Sequence, residues 1–270
     1  MGDGETQERF AFGKNWADFL SLIDEDRIKR STEALLEKLP DNDLSGLTFL
    51  DVGSGSGLSS LAACRLGARV TSFDADDEAV ECNRELRRRY ALADQWRILQ
   101  GSVLDEQFLG TLGQFDYVYS WGVLHHTGAM WTAIDNVVRL VKPGGVLWLA
   151  IYNDQGLQSR VWHAIKKWYN RSPNWIRYTL VFLVGLFFTL RTTVVALITL
   201  RRPGTIRGMP SRGMSRHHDL VDWVGGYPFE VAKPEEVFYF LKTRGFRLEE
   251  LKTCGPRLGC NEFVARLEAD

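Results

Sequence analysis

The glycine-rich turn FLDVGSGSGL is the segment of this sequence that most directly predicts chemistry. Asp51 lies near the end of an apolar run, and Gly53, Gly55 and Gly57 follow at alternate positions before a helical pattern begins. Glycine lets the backbone adopt positive φ angles and approach a ligand closely. The third glycine of the dinucleotide-binding motif G-x-G-x-x-G is missing in both possible registers. The turn therefore predicts a ligand other than a dinucleotide.

A second acidic residue, Asp74, stands at the end of the next predicted strand, 23 residues after Asp51. A carboxylate at that position can accept hydrogen bonds from both hydroxyls of a ribose. Together the two acids and the glycines predict a ligand with a positive amino group at one end and a ribose at the other. For the glycines alone, an ordinary tight turn is the alternative.

Two adjacent histidines, His125 and His126, follow the fourth predicted strand in a loop at the carboxyl edge of the sheet. Ligands of open α/β sheets bind at this edge. We predict that His126 is a general base for a substrate that must lose a proton, and that His125 contacts the substrate. A role for both histidines in orienting the loop is the alternative.

A second cluster of polar and aromatic residues lies in SRHHDLVDWVGGYPFE. If this segment folds back over the sheet edge, His218 is a candidate base and Asp219 is the carboxylate that orients it. His217, Trp223 and Tyr227 would then contact the substrate, together with Asp219. The alternative is that the segment begins a helix, with Asp219 near its first turn. No further pair of ligands at conventional spacing supports a metal site, so we predict none.

These residues are positioned by apolar runs that alternate with helical patterns through residue 151, which is typical of βαβ units and a parallel sheet. The predicted strands are Leu47 to Val52, Arg69 to Phe73, Trp96 to Leu99, Asp116 to Ser120 and Gly145 to Ile151. The predicted helices lie near Gly57 to Leu66, Asp77 to Tyr90 and Met130 to Val141. A helix from Pro234 and an antiparallel hairpin, Phe246 to Thr253 and Asn261 to Leu267, close the edge of the sheet. The predicted fold class is α/β, a doubly wound, seven-stranded, mostly parallel sheet with a helical insertion after the fifth strand.

The chain divides into four predicted segments. Residues 1–44 form an N-terminal helical lid, 45–153 the ligand-binding core, 154–230 the insertion, and 231–270 the closing helix and hairpin of the core. In the first segment, RFAFGKNWADFL offers Phe10, Phe12, Trp16 and Phe19. This pattern predicts either a helix that closes over the ligand or one packed on the flank of the sheet.

The insertion differs from the rest of the chain in its charge. From Gln155 to His218 there are eleven Lys or Arg residues and no Asp or Glu, whereas the remainder has 22 basic and 34 acidic residues. In QSRVWHAIKKWY one helical face is predicted to be apolar and the other basic, which is typical of a helix that lies on a membrane. The apolar face would hold Val161, Trp162, Ile165, Trp168 and Tyr169, and the basic face Arg160, His163, Lys166 and Lys167.

The next run, from Tyr178 to Leu200, has 23 residues with Arg191 as its only charge. It is long enough to cross a bilayer, but a single crossing would separate the closing helix and hairpin from the sheet that they complete. Arg191 would also cost on the order of 3 kcal/mol at a bilayer centre. We therefore expect this run to lie on a membrane, to pack against the domain or a second subunit, or to line an apolar channel.

Composition limits the size and setting of the protein. With 270 residues, 45% of them apolar, the chain can bury one large core. Its four cysteines show neither a C-x-x-C pair nor metal-ligand spacing, and no signal peptide precedes the first helical pattern. We expect a cytoplasmic protein, with peripheral contact to the inner face of a membrane as a further expectation.

Five segments, DVGSGSG, FDAD, QGSVLD, FDYVYSWGVLHH and LVKPGGVLWLAIYN, resemble the successive signature segments of class I S-adenosylmethionine-dependent methyltransferases. SWGVLHH and KPGG most resemble the ubiquinone/menaquinone-type and related small-molecule enzymes. The resemblance implies a Rossmann-like methyltransferase fold with S-adenosylmethionine as cofactor. It implies cofactor contacts at Asp51, Gly53, Ser54, Gly55 and Gly57 for the methionine end, at Asp74 and Ala75 for the ribose, at Ser102 and Val103 for the adenine, and at Ser120 and Trp121 near the sulfonium. Where many relatives have an acid this chain has Ser102, so Asp105 or backbone is expected to hold the adenine amino group.

The resemblance also implies transfer of a methyl group to an oxygen or carbon atom of a small molecule. The apolar insertion favours a lipophilic acceptor, such as a quinone precursor, a lipid or a lipid-linked glycan. An RNA-modifying enzyme that binds phosphates through the basic insertion is the alternative, and it is disfavoured because the basic residues are interleaved with long aliphatic runs. Residues 155–218 are expected to contact a membrane or to form a homodimer.

Overall fold

The computed structural model describes residues 10, 20, 23–39, 43–199, 216–255 and 258–269. Its centre is a sheet of seven strands: β1 Thr48–Val52, β2 Arg69–Asp74, β3 Trp96–Gln100, β4 Phe115–Trp121, β5 Val141–Tyr152, β6 Phe246–Lys252 and β7 Cys260–Leu267. Their order in the sheet is β3-β2-β1-β4-β5-β7-β6. β1 to β5 are parallel, and β7 is antiparallel to both β5 and β6. The predicted fold class and the closing edge hairpin are confirmed.

The described residues also form nine α-helices, most of them in the connections between strands. They are α1 Glu25–Lys38, α2 Leu58–Arg65, α3 Asp77–Arg89, α4 Glu106–Gly110, α5 Met130–Val138, α6 Leu157–Arg171, α7 Asn174–Thr199, α8 Arg216–Gly225 and α9 Pro234–Lys242, with a short 3-10 turn at Leu124–His126. Side-chain oxygens cap three of them: Asp24 caps α1, Asp76 caps α3 and Asp105 caps α4. Each accepts a hydrogen bond from a backbone N–H that the helix itself leaves unpaired.

The core has one apolar layer on each face of the sheet. One layer includes Ile28 of α1, Leu61 of α2 and Leu86 of α3, and the other includes Ile134 of α5 and Val237 of α9. The central strands β1, β4 and β5 are covered by helices on both faces and bury most of their side chains, which explains their mainly apolar sequences.

The boundary between α5 and β5 differs from the prediction. The helix ends at Val138 instead of Val141, and the strand begins at Val141 instead of Gly145. A side chain at Gly145 would come within 2.9 Å of the backbone oxygens of Asp116 and Lys142. This glycine therefore allows a close backbone approach beside the register irregularity between β4 and β5.

The insertion contains α6, α7 and α8, and the predicted orientation of α6 is wrong. The buried stripe of α6 is Ser159, Trp162, Lys166 and Tyr169, whereas Val161 and Trp168 are 51% and 54% exposed. Lys166, predicted on a solvated basic face, is fully buried. The reason is that the aliphatic stem and ammonium of this lysine are enclosed by aromatic rings, as described below.

Helix α7 is long and almost wholly exposed. It is the one helix among the described residues that is long and apolar enough to cross a membrane, with a mean hydropathy of 2.2 over its most apolar 18 residues, only 6% of which are buried. Its large exposed apolar residues are Trp175, Tyr178, Phe182, Leu183, Leu186, Phe187, Leu190, Val194, Leu197 and Ile198. α8 packs on both α6 and α7.

Candidate active site

The glycine-rich turn joins β1 to α2 at the carboxyl edge of the sheet. Gly53, Gly55 and Gly57 all adopt positive φ, at +72°, +52° and +80°. The backbone N–H groups of Gly53 and Ser54 both donate to the carbonyl of Phe73 at the end of β2. The turn is thus fixed to the neighbouring strand in a backbone conformation that residues other than glycine rarely adopt.

Asp74 lies directly beside this turn. Its carboxylate accepts hydrogen bonds from the N–H of Gly55 at 2.9 Å and of Asp76 at 3.0 Å. Burial raises the pKa of Asp74, and these backbone donors offset part of that effect. A buried carboxylate gains from further donors, because they stabilise its ionised form. Ala75 adjoins it and is exposed.

Asp51 lies below the turn and is 2% exposed. Its carboxylate accepts a hydrogen bond from the Ser60 hydroxyl at 2.6 Å, which links β1 to α2. This contact supports the turn from within the protein. Direct contact of Asp51 with the methionine end of a cofactor stays a prediction.

The loop after β3 holds the two residues predicted beside the adenine. Val103 is buried, and its carbonyl accepts from the Asn136 amide at 2.9 Å. The Ser102 hydroxyl accepts from the N–H of Leu104 at 3.2 Å. Asp105, one of the expected partners of the adenine amino group, accepts from the N–H of Phe108 as the cap of α4, and its contact with an adenine stays a prediction.

Ser120 and Trp121 end β4. The Ser120 side chain is fully buried and donates to the carbonyl of Val52 at 3.3 Å, so it ties β4 to β1. Trp121 is partly buried against the core layer that contains α1 and α2. Its position at the strand end agrees with the predicted place beside the cofactor, and its contact with a sulfonium stays a prediction.

A group of three aromatic side chains, which we call the aromatic box, lies at the carboxyl end of β5. It consists of the partly buried Tyr152 and Trp223 and the buried Phe229, with ring centroids 5.3 Å from Tyr152 to each of the other two. The Lys166 ammonium lies 4.8 Å from the Trp223 ring centroid and 4.9 Å from that of Phe229. It also donates to the carbonyl oxygen of Trp223. The box therefore holds a cation against aromatic faces.

Both predicted histidines border the aromatic box. The His125 ring lies 3.8 Å from the Tyr152 ring, and the His126 ring lies 5.5 Å from it. His125 is fully buried, and burial, followed by the charges of His126 and Lys166, lowers its pKa well below the usual value. Burial and Lys166 lower the pKa of His126 to about 3. Both rings are therefore neutral at physiological pH.

The tautomer of His126 follows from its partner. Its Nδ1 lies 2.6 Å from the carbonyl oxygen of Pro228, and since a carbonyl only accepts, Nδ1 carries the hydrogen. The remaining nitrogen, Nε2, then has the lone pair. This contact fixes the loop of the 3-10 turn to the segment that follows α8.

The second predicted cluster is only partly described. Trp223 is part of the aromatic box, and the Tyr227 ring lies 5.7 Å from that of His163. His217, His218 and Asp219 belong to α8, so the expected alternative of a helix holds for their backbone. Their side chains lie outside what the structure describes, and their catalytic and substrate-binding roles stay predictions.

Four residues of this site were missed by the motifs: Tyr152, Lys166, Phe229 and Glu230. Lys166 shares one helical face with Ser159, Trp162 and Tyr169, at three- and four-residue spacing, but that spacing alone does not show that this face is the buried one. Glu230 accepts from the N–H of Met130 at 3.1 Å with both carboxylate oxygens, at the start of α5. Burial raises its pKa.

The predicted lid segment is described at only a few positions. Phe12, Trp16 and Phe19 lie outside the described residues. Phe10 is described: its N–H donates to the carbonyl of Tyr227 at 3.0 Å, and its ring would be 2.2 Å from a side-chain carbon at Gly225. The chain at Phe10 therefore lies on the insertion, beside the aromatic box. Helix α1 packs on α2, at the flank of the sheet.

The residues at the end of β2 fit a ligand with a ribose. Asp74 is an enclosed carboxylate with a raised pKa at the edge where such sheets bind ligands, and ribose hydroxyls are suitable donors to it. The turn that adjoins it has positive φ at three glycines, which keeps side chains away from the ligand.

Comparison with known proteins agrees with this geometry. Residues 50–149 match the methyltransferase domain family. The chain is 37% identical over 89 residues to ribosomal protein L11 methyltransferase of Helicobacter hepaticus, covering 33% of this chain and 27% of that protein. It is 34% identical over 111 residues to ubiquinone biosynthesis O-methyltransferase of Xanthomonas oryzae pv. oryzae, covering 41% of this chain and 45% of that protein. The chain thus spans less than half the length of either relative.

Solved structures show the same fold. Magnesium protoporphyrin IX methyltransferase from Synechocystis PCC 6803, with bound S-adenosylhomocysteine, superposes with a TM-score of 0.52 at 16% identity, covering 89% of this chain and 82% of that one. An O-methyltransferase family protein from Burkholderia thailandensis has a TM-score of 0.55 at 12% identity, covering 94% and 58%.

Proposed function

Because the chain contains a class I S-adenosylmethionine-dependent methyltransferase domain, we propose that it methylates an oxygen or carbon atom of a lipophilic small molecule. The observation that carries the proposal is the apolar character of the insertion. Its longest helix, α7, is apolar both toward solvent and where it lines a groove.

The cofactor supplies a methyl group that is activated by the positive charge of its sulfonium. The chain then has to orient the two reactants, since a methyl transfer needs an in-line approach and close contact. Asp74 and the glycine turn would hold the donor at the ends of β1 and β2. The aromatic box would hold the acceptor at the ends of β4 and β5, on the adjoining part of the same edge.

The groove lies between α7, α8 and the end of α6 and has a volume of about 730 Å³. This is within the range of ordinary small-molecule sites. Its lining is almost entirely apolar: Tyr169, Tyr178, Val181, Phe182, Gly185, Leu186, Phe188, Thr189, Leu220 and Val221. Such a lining favours a hydrocarbon ligand over a charged one.

Aromatic contacts connect the groove with the box. Phe188, which lines the groove, stacks on Trp162 with ring centroids 6.1 Å apart. Trp162 in turn contacts Trp223 edge-to-face at 5.4 Å. An acceptor with a polar head in the box and an apolar tail in the groove would suit this arrangement. A quinone precursor, a lipid or a lipid-linked glycan has this form.

The exposed face of α7 supports contact with a membrane surface. A contiguous row of exposed Trp, Phe, Leu and Ile side chains is unusual on a protein surface and marks an interaction site. Arg160 and Arg171 of α6 are exposed near it and would favour anionic lipid headgroups. A single crossing of the bilayer is incompatible with the sheet, because β5 before the insertion pairs with β7 after it.

RNA methylation remains the alternative that needs testing. The described surface of the insertion favours it less, because its exposed residues are mainly aliphatic and aromatic, and phosphate binding needs clustered basic groups.

The proposal is tested by offering the protein tritiated S-adenosylmethionine together with three separate bacterial extracts: total lipid, aqueous metabolites and RNA. We expect label in the lipid fraction, dependent on the protein and insensitive to added salt. Label confined to RNA, with a steep loss at high salt, would support the alternative. Label confined to aqueous metabolites would contradict a lipophilic acceptor.

A further inference from the structure

We propose that His125 and Trp223 donate their buried N–H groups to an oxygen atom of the acceptor, and that they thereby select oxygen over nitrogen acceptors. This inference rests on the proposed function and adds the chemistry by which the acceptor is recognised. It follows from two buried donors that have no hydrogen-bond partner among the described residues, the ring Nε2 of His125 and the indole Nε1 of Trp223.

The first donor is identified by the tautomer of His125. The backbone N–H of Tyr152 donates to His125 Nδ1 at 3.3 Å, so Nδ1 has the lone pair. The ring is neutral, because burial lowers its pKa well below the usual value. The single ring hydrogen must therefore be on Nε2, which is a donor.

The second donor needs no such assignment, because an indole nitrogen can only donate. The Trp223 ring packs against the Tyr152 ring with centroids 5.3 Å apart, and the His125 ring packs on the same tyrosine at 3.8 Å. Both donors therefore belong to residues that touch one aromatic ring at the end of β5.

Leaving a buried donor unpaired is costly, and most buried polar groups in folded proteins have a partner. Two such donors beside one ring, at the edge of the sheet where the acceptor must bind, indicate that a ligand supplies the partner. Both donor atoms are shielded from solvent in this structure, so an acceptor can reach them only if the side chains around them or α8, which carries Trp223, move.

Charge at the box favours the same class of ligand. Lys166 places an ammonium over Tyr152, Trp223 and Phe229, and this positive potential attracts an oxyanion and repels an ammonium. The other described titratable groups nearby are His126, which is neutral, and Glu230, whose oxygens face the start of α5. An acidic hydroxyl, as in a phenol or enol, matches two N–H donors and a cation.

Two substitutions remove the donors with little change of shape. Trp223→Phe keeps an aromatic ring and deletes the N–H. His125→Asn keeps an acceptor near the Nδ1 position and deletes the distal donor, whereas His125→Gln keeps a donor near the Nε2 position. Trp148→Phe is the matched control, because Trp148 Nε1 is also buried without a partner but lies in the core, four residues before Tyr152 on β5.

The probes are 4-dodecylphenol and 4-dodecylaniline, which differ only in the oxygen or nitrogen, each titrated by calorimetry with saturating S-adenosylhomocysteine. We expect the native protein to bind the phenol at least about 10-fold more tightly than the aniline. Trp223→Phe and His125→Asn should each weaken phenol binding by about 5- to 10-fold, the effect of one lost hydrogen bond, and leave aniline binding unchanged. His125→Gln and Trp148→Phe should retain the preference.

Thermal unfolding separates this role from a structural one. Trp223→Phe and Trp148→Phe should change the melting temperature by similar amounts, because each removes an unpaired buried donor together with part of a packed ring. The inference is overturned if the native protein binds neither probe or binds both equally, or if Trp223→Phe lowers the melting temperature and the affinity for both probes together. If the protein methylates a lipid but binds the phenol and the aniline equally, only the inference about His125 and Trp223 is overturned. If it binds the phenol more tightly but methylates no lipid, only the proposed function is overturned.

Discussion

At the scale of single residues, we expect cofactor binding to depend most directly on the side chain of Asp74. It is enclosed, and backbone N–H groups from two segments donate to it. We expect Asp74→Ala to weaken S-adenosylmethionine binding by about 1 to 3 kcal/mol, because ribose hydroxyls would lose a charged acceptor. Calorimetry measures this effect. Asp77→Ala, an exposed acid three residues later, is the control, and equal affinities for the native protein and Asp74→Ala would remove Asp74 from the site.

His126 was predicted as a general base, and its environment favours a different role. Its pKa is about 3, roughly 7 units below that of a phenol, so taking the proton of a phenol would cost on the order of 10 kcal/mol. A positioning role, through the contact with Pro228, agrees better with the structure.

We therefore expect His126→Asn to keep turnover within about 10-fold of the native rate, because the asparagine amide can still donate to Pro228. The pH dependence of turnover between pH 5 and 8 should be the same in both proteins. A loss of about 100-fold or more, or the loss of a limb from the pH profile, would restore the assignment of His126 as the base.

At the scale of elements, the exposed face of α7 and the neighbouring end of α6 are expected to bind anionic membranes. Flotation with vesicles should show binding that rises with the content of anionic lipid and falls with salt. Combined Trp168→Ala and Trp175→Ala substitutions should weaken it, because both side chains are mostly exposed. Trp131→Ala changes an exposed tryptophan of α5, outside the insertion, and should have no effect.

Protein that stays in the soluble fraction at every lipid composition would contradict this expectation. If the same protein elutes as a dimer that Trp168→Ala and Trp175→Ala dissociate, the face of α7 is a subunit interface. Trp162, which the sequence pattern grouped with Trp168, is unsuitable for this test because it is buried.

The sequence predicted the elements of the core well, and the insertion less well, for a physical reason. Strands of a parallel sheet are apolar throughout, and the glycine turn and the run before Asp74 have distinctive residues. In α6 the buried face contains Ser159 and Lys166, so the pattern of apolar residues predicted the wrong face of the helix to be buried. Burial of Lys166 depends on aromatic residues from β5, α8 and the segment after it, which no pattern within one helix can predict.

At the scale of the whole molecule, the two neutral histidines make stability depend on pH. In the unfolded chain a histidine binds a proton below about pH 6.5, whereas folded His126 does so only below about pH 3. The unfolded state therefore binds more protons in this interval. The contribution of His126 to the free energy of unfolding is therefore greatest above about pH 6.5 and is lost as the pH falls toward about 3.

We expect His126→Asn to reduce this pH dependence by about 1.4 kcal/mol per pH unit between pH 6 and 4.5, since one titrating group is removed. Urea denaturation of both proteins at several pH values measures the difference in slope. Identical slopes for the native protein and His126→Asn would mean that His126 is not held neutral by the fold.

The central claim is that this protein methylates a lipophilic small molecule. Mass spectrometry of a total lipid extract, incubated with the native protein and S-adenosylmethionine carrying a deuterated methyl group, tests it directly. We predict that one class of lipid-soluble compound gains a single deuterated methyl group on oxygen or carbon, and that Asp74→Ala forms much less of it at limiting cofactor. Deuterated methyl groups found only in RNA or in water-soluble metabolites, with none in the lipid extract, would show that the acceptor is not lipophilic.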